Sequence, residues 1–424
     1  MRLPAGRGAL IGAAVAITTA LAHAQHAPAR GPMGRDASAS RPYVVLVSFD
    51  AFRHDYLDRF RPPAFLELAR RGVRARALIP SFPSKTFPNH LTLVTGLSPG
   101  RNGIVGNTFY DPVRDEWYRS GQEQSVADGS WYSGDPIWVT AERNGVKTGV
   151  FFWPGSEAAI AGVRPTYVTT YDKTVTNATR VDSAITWLRK PDTDRPHLVL
   201  LYFSDVDDTT HRYGPDAAQT AVAVASVDRT LRRLLDSLHA LPFGNSVNVV
   251  LVSDHGMTFV DSTHVIPVGN LLTRGGVDTV GVRVSDNGPT TSLWFGADSV
   301  RLRASRKALD APRRHVRAYL RAEAPARWHV RDNVRFGDLL VVADKGYFLV
   351  RRSTDAGPSP GQHGYDPQVP DMQGIFVAAG SGVKPGVIPA LENVNVYPFL
   401  AALLKLEHVP HTDGDLKVLS RVLR

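Results

Sequence analysis

The stretch VNVVLVSDHG, Val247–Gly256, decides how the chain is read. Its Val- and Leu-rich run does not alternate between apolar and polar residues, which is the pattern of a strand buried on both faces of a mostly parallel sheet. The polarity then switches abruptly, with Asp254 and His255 at the strand's end. The same grammar recurs in YVVLVSF (Tyr43–Phe49), VKTGVFFW (Val146–Trp153), HLVLLYF (His197–Phe203) and GIFVAA (Gly374–Ala379). Helical spacing predicts helices over Asp55–Arg71, Pro136–Asn144, Val181–Arg189, Asp216–Leu241 and Val396–Leu406. Strands alternating with helices predict an α/β domain whose mostly parallel central sheet carries helices on both faces. Residues 270–343 are less regular and are expected to form a smaller lobe or insertion, with short strands at Ser292–Phe295 and Leu339–Val342.

A chain of 424 residues, 43% hydrophobic and 21% charged, is large enough for a deep core. Residues 1–24 read as an export signal: Arg2 and Arg7 flank the start, Ala9–Ala22 is apolar, and Ala22-His23-Ala24 resembles a cleavage site. The apolar run is shorter than the roughly 20 residues a membrane span needs. Residues 25–42, rich in Ala, Pro, Gly, Arg and Ser, are expected to be a flexible leader before a catalytic domain over 43–424. An exported, periplasmic or secreted location follows as an expectation. There are no cysteines, so core packing and metals must supply stability. The formal net charge of +9 is spread without a dense Lys/Arg block, which argues against a nucleic-acid polymer as partner and leaves small anions open.

Three expected strands end in carboxylates: Asp50 after VLVSF, Asp207 in FSDVDDTTH with His211 four residues on, and Asp254 with His255. Ligands of open parallel sheets gather at such carboxyl ends. His363 lies on the Gly/Pro-rich loop SPGQHGYDP, which could fold over the same edge. Taken singly, each Asp reads more readily as a turn former or helix cap than as a metal ligand, and each His as a structural or exposed residue. Together, three Asp and three His suit Zn²⁺, and less selectively Mn²⁺ or Fe²⁺. Six ligands suffice for two ions, and a two-metal site clamps the attacking and leaving oxygens of phosphoryl transfer. Such a site would activate Thr86 in FPSKTFPNH, where Pro83 and Pro88 are expected to hold a turn.

The segments SKTFPNH, GIVGN, FWPGSE, YDKTV, DVDDTTHRYGP, SDHGM and GQHGYDP occur in an order that resembles the nucleotide pyrophosphatase/phosphodiesterases of the alkaline phosphatase superfamily, in a compact bacterial-type form. The resemblance runs from about Tyr43 to the C-terminus. It implies an alkaline phosphatase-like fold and two Zn²⁺, one held by Asp207, His211 and His363 and the other by Asp50, Asp254 and His255 with Thr86. It further implies that Thr86 attacks phosphorus to give a phospho-threonine intermediate. Asn107, with the backbone N–H of Phe87, would donate to a non-bridging phosphate oxygen, and Phe87, Tyr171 and Tyr202 would line a nucleobase slot. Nucleotides or other small phosphodiesters are the implied substrates, with nucleoside 5′-monophosphates released. One departure is Thr210, where relatives often have Gly before the His; Lys85 beside Thr86 is a cation without an assigned role.

Rival readings are a phosphate monoesterase, a phospholipid head-group phosphodiesterase and, from another class, an inactive metal-binding module. The neutral donor Asn107 and the aromatic residues suit a diester better than a monoester, which carries one more negative charge. No GxxxxGK[ST], no GxGxxG after a strand and no GxSxG elbow between a strand and a helix is present, which weakens kinase, dehydrogenase and esterase readings.

Overall fold

The computed structural model describes residues 41–310 and 314–424. The expected export signal lies outside the described residues, as does the leader apart from Arg41 and Pro42.

Eight strands form the central sheet: β1 (Tyr43–Phe49), β2 (Val73–Ala75), β3 (Thr148–Phe151), β4 (Tyr167–Thr169), β5 (Leu198–Phe203), β6 (Val247–Val252), β7 (Phe376–Ala379) and β8 (Gly386–Ile388). Their spatial order is β8-β2-β7-β6-β1-β5-β3-β4, and only β7 runs against its neighbours. β1 lies between β5 and β6, pairing Val44 with Leu198 and Asn248, and Ser48 with Tyr202 and Val252. Alternate side chains point to opposite faces. Val44, Leu46, Leu198, Leu200, Val250 and Val252 therefore enter one core, while Val45, Val47, Val199, Leu201, Val249 and Leu251 enter the other. This double burial is why the strands read as near-continuous apolar runs.

Helices α1 (Pro63–Arg71), α3 (Asn177–Leu188) and α5 (Ala218–His239) cover the second face. On the first face lie α2 (Thr86–Thr95) and the helices Ile137–Arg143 and Val396–Leu403. Between α3 and α5, α4 (Asp205–Tyr213) follows β5. Two expectations need correction. The helix expected over Asp55–Arg71 is broken into Tyr56–Arg59 and Pro63–Arg71, because Arg61 is left-handed at φ 52° and Pro62-Pro63 cannot continue the first helix. The turn expected around Thr86 is instead the start of α2.

The smaller lobe is a four-stranded antiparallel sheet ordered Arg283–Val284, Thr290–Trp294, Leu339–Ala343 and Val316–Leu320, with its own core around Leu293, Leu309, Leu339 and Val341. No helix among the described residues is long and apolar enough to cross a membrane.

Helix α1 begins at a proline N-cap that offers no side-chain acceptor. Asp228 of α5 supplies one from a distance, its Oδ1 accepting from the N–H of Ala64 at 2.8 Å and of Phe65 at 3.2 Å. Asp228→Ala removes this cap and leaves buried donors unpaired, so urea unfolding is expected to show a loss of about 1–3 kcal/mol. An unchanged unfolding midpoint would contradict the capping role.

Candidate active site

The three adjacent strands β5, β1 and β6 deliver their polar ends to one edge. Asp50 follows β1, Asp254 and His255 follow β6, and α4 after β5 carries Asp207 and His211 one turn apart on the same face. His363 enters from the loop after the short strand Gly361–Gln362, which pairs with Thr258–Phe259 and so is anchored to the chain leaving β6. Asp207, His211 and His363 form one cluster and Asp50, Asp254 and His255 a second, the ligand atoms of each lying within 4.8 Å of one another. The clusters adjoin: the rings of His255 and His363 stack at 3.6 Å, and those of His211 and His363 stand edge-on at 5.0 Å.

The donor set fits cations. Asp50 Oδ1, Asp207 Oδ1 and Asp254 Oδ2 are buried without hydrogen-bond partners. These same oxygens face imidazole Nε2 atoms: Asp207 Oδ1 lies 3.4 Å from His211, Asp50 Oδ1 3.5 Å from His255, and Asp254 Oδ2 3.0 Å from His255. Each histidine's Nδ1 meets a backbone carbonyl, Gly361 for His211 (2.8 Å), Ser84 for His363 (2.9 Å) and Gly256 for His255 (2.9 Å). A carbonyl can only accept, so Nδ1 holds the proton and Nε2 is left as the ligating atom.

The charges strain one another. Burial, reinforced by Asp254 and Asp207, pushes Asp50 well above the usual carboxylate range. Burial alone would also raise Asp254, but the imidazoles of His255 and His90 reverse this and hold it well below. Burial beside His255 and His211 drives His363 well below the ordinary imidazole value. Cations between the carboxylates would relieve these opposed shifts.

Thr86 opens α2, with Lys85 as an extended N-cap at φ −122°. Pro88 sits in the first helical turn, where its missing N–H breaks no intrahelical bond, so the prolines are compatible with a helix start. Thr86 Oγ1 lies 3.2 Å from His255 Nε2, against the second cluster. Asn107 Oδ1 accepts from the Phe87 N–H at 3.1 Å, which turns the Nδ2 donor away from that contact. The Phe87 N–H, expected as a second donor to substrate, is thus already engaged. Burial lowers the ammonium pKa of Lys85 against the pull of Asp286.

The expected aromatic residues divide. Tyr171 is 45% exposed, and its ring meets Tyr202 at 6.2 Å. Tyr202 is only 8% exposed, and its hydroxyl donates to Asp50 Oδ2 at 2.7 Å, so it buttresses the second cluster from below. Phe87 is partly buried and stands edge-on to Tyr118 at 6.3 Å. Sequence reading passed over Glu157, the carboxylate of FWPGSE. Its Oε1 accepts from the Tyr171 N–H at 3.3 Å, Oε2 has no partner, and burial raises its pKa. An acid closing an aromatic motif was the available signal. At the departure point, the Thr210 hydroxyl donates to the carbonyls of Val206 (2.8 Å) and Asp207 (3.1 Å), so α4 absorbs it without displacing His211 from the face of Asp207.

Similarity to known proteins follows this geometry. The family profile described as type I phosphodiesterase / nucleotide pyrophosphatase matches residues 44–366. An uncharacterized pyrophosphatase/phosphodiesterase of Schizosaccharomyces pombe is 34% identical over 90% of this chain and 80% of its own length. Ectonucleotide pyrophosphatase/phosphodiesterase family member 3 of Bos taurus is 33% identical over 90% of this chain, which spans 44% of that longer protein. Among solved structures, an inactive threonine-to-alanine variant of murine ectonucleotide pyrophosphatase/phosphodiesterase 5 in complex with AMP superposes with a TM-score of 0.83 at 30% identity, covering 90% of this chain and 100% of that one. The fold, the clustered ligand set and the sequence match agree: this chain belongs to the type I phosphodiesterase / nucleotide pyrophosphatase family.

Proposed function

We propose that this chain is an exported two-zinc enzyme that hydrolyses phosphodiester or pyrophosphate bonds of nucleotides and releases nucleoside 5′-monophosphates through a phospho-Thr86 intermediate. The observation that carries this reading is the position of Thr86 Oγ1, 3.2 Å from His255 Nε2 and beside two adjoining clusters of metal-capable side chains. Asp207, His211 and His363 would hold one Zn²⁺, and Asp50, Asp254 and His255 the other. Bound there, the ions would lower the pKa of the Thr86 hydroxyl and offset charge on the attacking and leaving oxygens.

In the first step Thr86 Oγ1 forms a bond to phosphorus and the bond to the leaving group breaks. Water then attacks phospho-Thr86, and the threonine is regenerated. Asn107, its Oδ1 fixed by the Phe87 N–H, keeps Nδ2 as the donor to a non-bridging oxygen. A neutral amide suits the single charge of a diester. Phe87 and Tyr171 would stack on a nucleobase, with Tyr202 contributing through its hold on Asp50. The unpartnered Glu157 Oε2 would accept from an exocyclic amine such as that of adenine. A Xenopus laevis relative 31% identical over 80% of its length is named bis(5′-adenosyl)-triphosphatase, and the murine structure holds AMP; both fit this substrate class. Glu157 would also favour a quaternary ammonium, which keeps a choline phosphodiester as the second reading. Export rests on Arg2, Arg7 and the apolar run Ala9–Ala22.

Purified protein is expected to turn over bis-p-nitrophenyl phosphate and diadenosine triphosphate faster than p-nitrophenyl phosphate or glycerophosphocholine; preference for the third or fourth would install the monoesterase or head-group reading instead. Thr86→Ala should lower kcat/KM for the diester by on the order of 10³-fold or more, and full retention of activity would exclude the covalent route. Asp50→Asn separates function from stability. In chelator-treated protein it removes a repelling buried charge and should raise the melting temperature, while metal analysis should fall from two equivalents towards one. A lower melting temperature with both equivalents retained would refute this assignment.

A further inference from the structure

His90 has no part in the reaction steps above and enters only through its effect on the charge of Asp254, yet it sits at their centre. It is completely buried, one helical turn after Thr86 on α2. Its Nδ1 lies 2.9 Å from the carbonyl oxygen of Thr86 and 3.4 Å from Asp254 Oδ2. Its Nε2 lies 2.8 Å from the hydroxyl of Ser48, itself buried on β1 two residues before Asp50. The ring stands edge-on to Trp153 at 5.1 Å and to Tyr202 at 5.2 Å, and the indole N–H of Trp153 donates to the His90 carbonyl at 3.1 Å.

This geometry excludes two obvious roles. Nδ1 faces the Thr86 carbonyl rather than its Oγ1, which is engaged by His255, so His90 is not placed to take the nucleophile's proton. Because a carbonyl only accepts, Nδ1 carries hydrogen, and Nε2 is occupied by Ser48, so neither nitrogen is free to ligate a metal. A core position of this kind is ordinarily filled by an apolar side chain, since a buried imidazole is costly unless both nitrogens are satisfied. Here both partners belong to the reacting machinery: one is the nucleophile's own backbone, the other the strand that ends in Asp50.

We propose that His90, with Ser48, is a positioning residue that ties the start of the nucleophile helix to the strand presenting Asp50, and so sets the distance of Thr86 Oγ1 from the second cluster. The inference deepens the proposed function and rests on it. A misplacement on the order of 1 Å in a reacting group can cost about 10²-fold in rate. The clamp therefore acts on kcat rather than on substrate affinity.

The test uses the full chain with bis-p-nitrophenyl phosphate. Gln can place its terminal amide where the imidazole has Nε2 and so keep the bond to Ser48, whereas Leu fills the space with no polar atom. His90→Leu is expected to lower kcat by roughly 10- to 100-fold, with KM within about threefold and bound metal at the wild-type level. His90→Gln should recover a substantial part of that loss, and Ser48→Ala, which leaves the imidazole in place, should fall between wild type and His90→Leu. Unchanged kcat in His90→Leu, or Gln performing no better than Leu, would overturn the proposal. If the His90 variants do not fold, Ser48→Ala decides: a kcat loss with KM and metal retained supports the clamp, and wild-type kcat removes it. Should the wild type turn over neither diester nor nucleotide, the proposed function fails, but the clamp keeps its own readout. Nitrogen-15 spectra of the imidazole should show a slowly exchanging proton on His90 Nδ1 that shifts in Ser48→Ala; an unprotonated Nδ1, or a spectrum indifferent to Ser48, would contradict it.

Discussion

Everything in this molecule is arranged around one electrostatic constraint, the concentration of three carboxylates and three imidazoles at the end of a water-poor sheet. Asp50 and Asp254 are fully buried, and burial alone would drive both towards their neutral forms. The fold holds them there because β5, β1 and β6 are adjacent and are fixed by double-sided apolar packing that leaves little freedom of register. Backbone carbonyls of Gly361, Ser84 and Gly256 then set the orientation of His211, His363 and His255. Stability is sacrificed locally so that a set of lone pairs faces one small volume.

Thr86 depends on that arrangement without belonging to the sheet. Its helix docks on the first face through Leu91, Leu93 and Val94, and its first turn reaches the cluster edge. Contacts from several directions fix that turn: Thr86 to His255, Phe87 to Asn107, and Ser84 to both His363 and Tyr365. A hydroxyl at the first residue of a helix also lies at the positive end of the helix dipole, a favourable field for developing negative charge.

Much of this was legible in the sequence because the sheet's interior obeys a simple rule. A strand with both faces buried is apolar over most of its length, so Val247–Val252 and its neighbours declare themselves, and the polar residues after them mark the functional edge. Asp207 and His211 were legible through helical spacing, and His363 through the company it keeps in GQHGYDP. The start of α2 was not, because Pro83 and Pro88 are helix breakers in general but tolerated before and within a first turn. The break at Pro62-Pro63 was the opposite error, a continuous pattern overriding a local backbone restriction. His90 and Glu157 were hidden for another reason. A buried histidine or glutamate is identified by its partners, and Ser48 and Tyr171 become neighbours only in three dimensions.

The most direct test of the central claim, that Thr86 attacks phosphorus itself, is the stereochemical course of hydrolysis of a nucleotide diester made chiral at phosphorus with sulfur and an oxygen isotope. Two successive in-line displacements, one by Thr86 and one by water, predict net retention of configuration at phosphorus. Net inversion would mean that water attacks the substrate directly and would contradict the covalent role of Thr86.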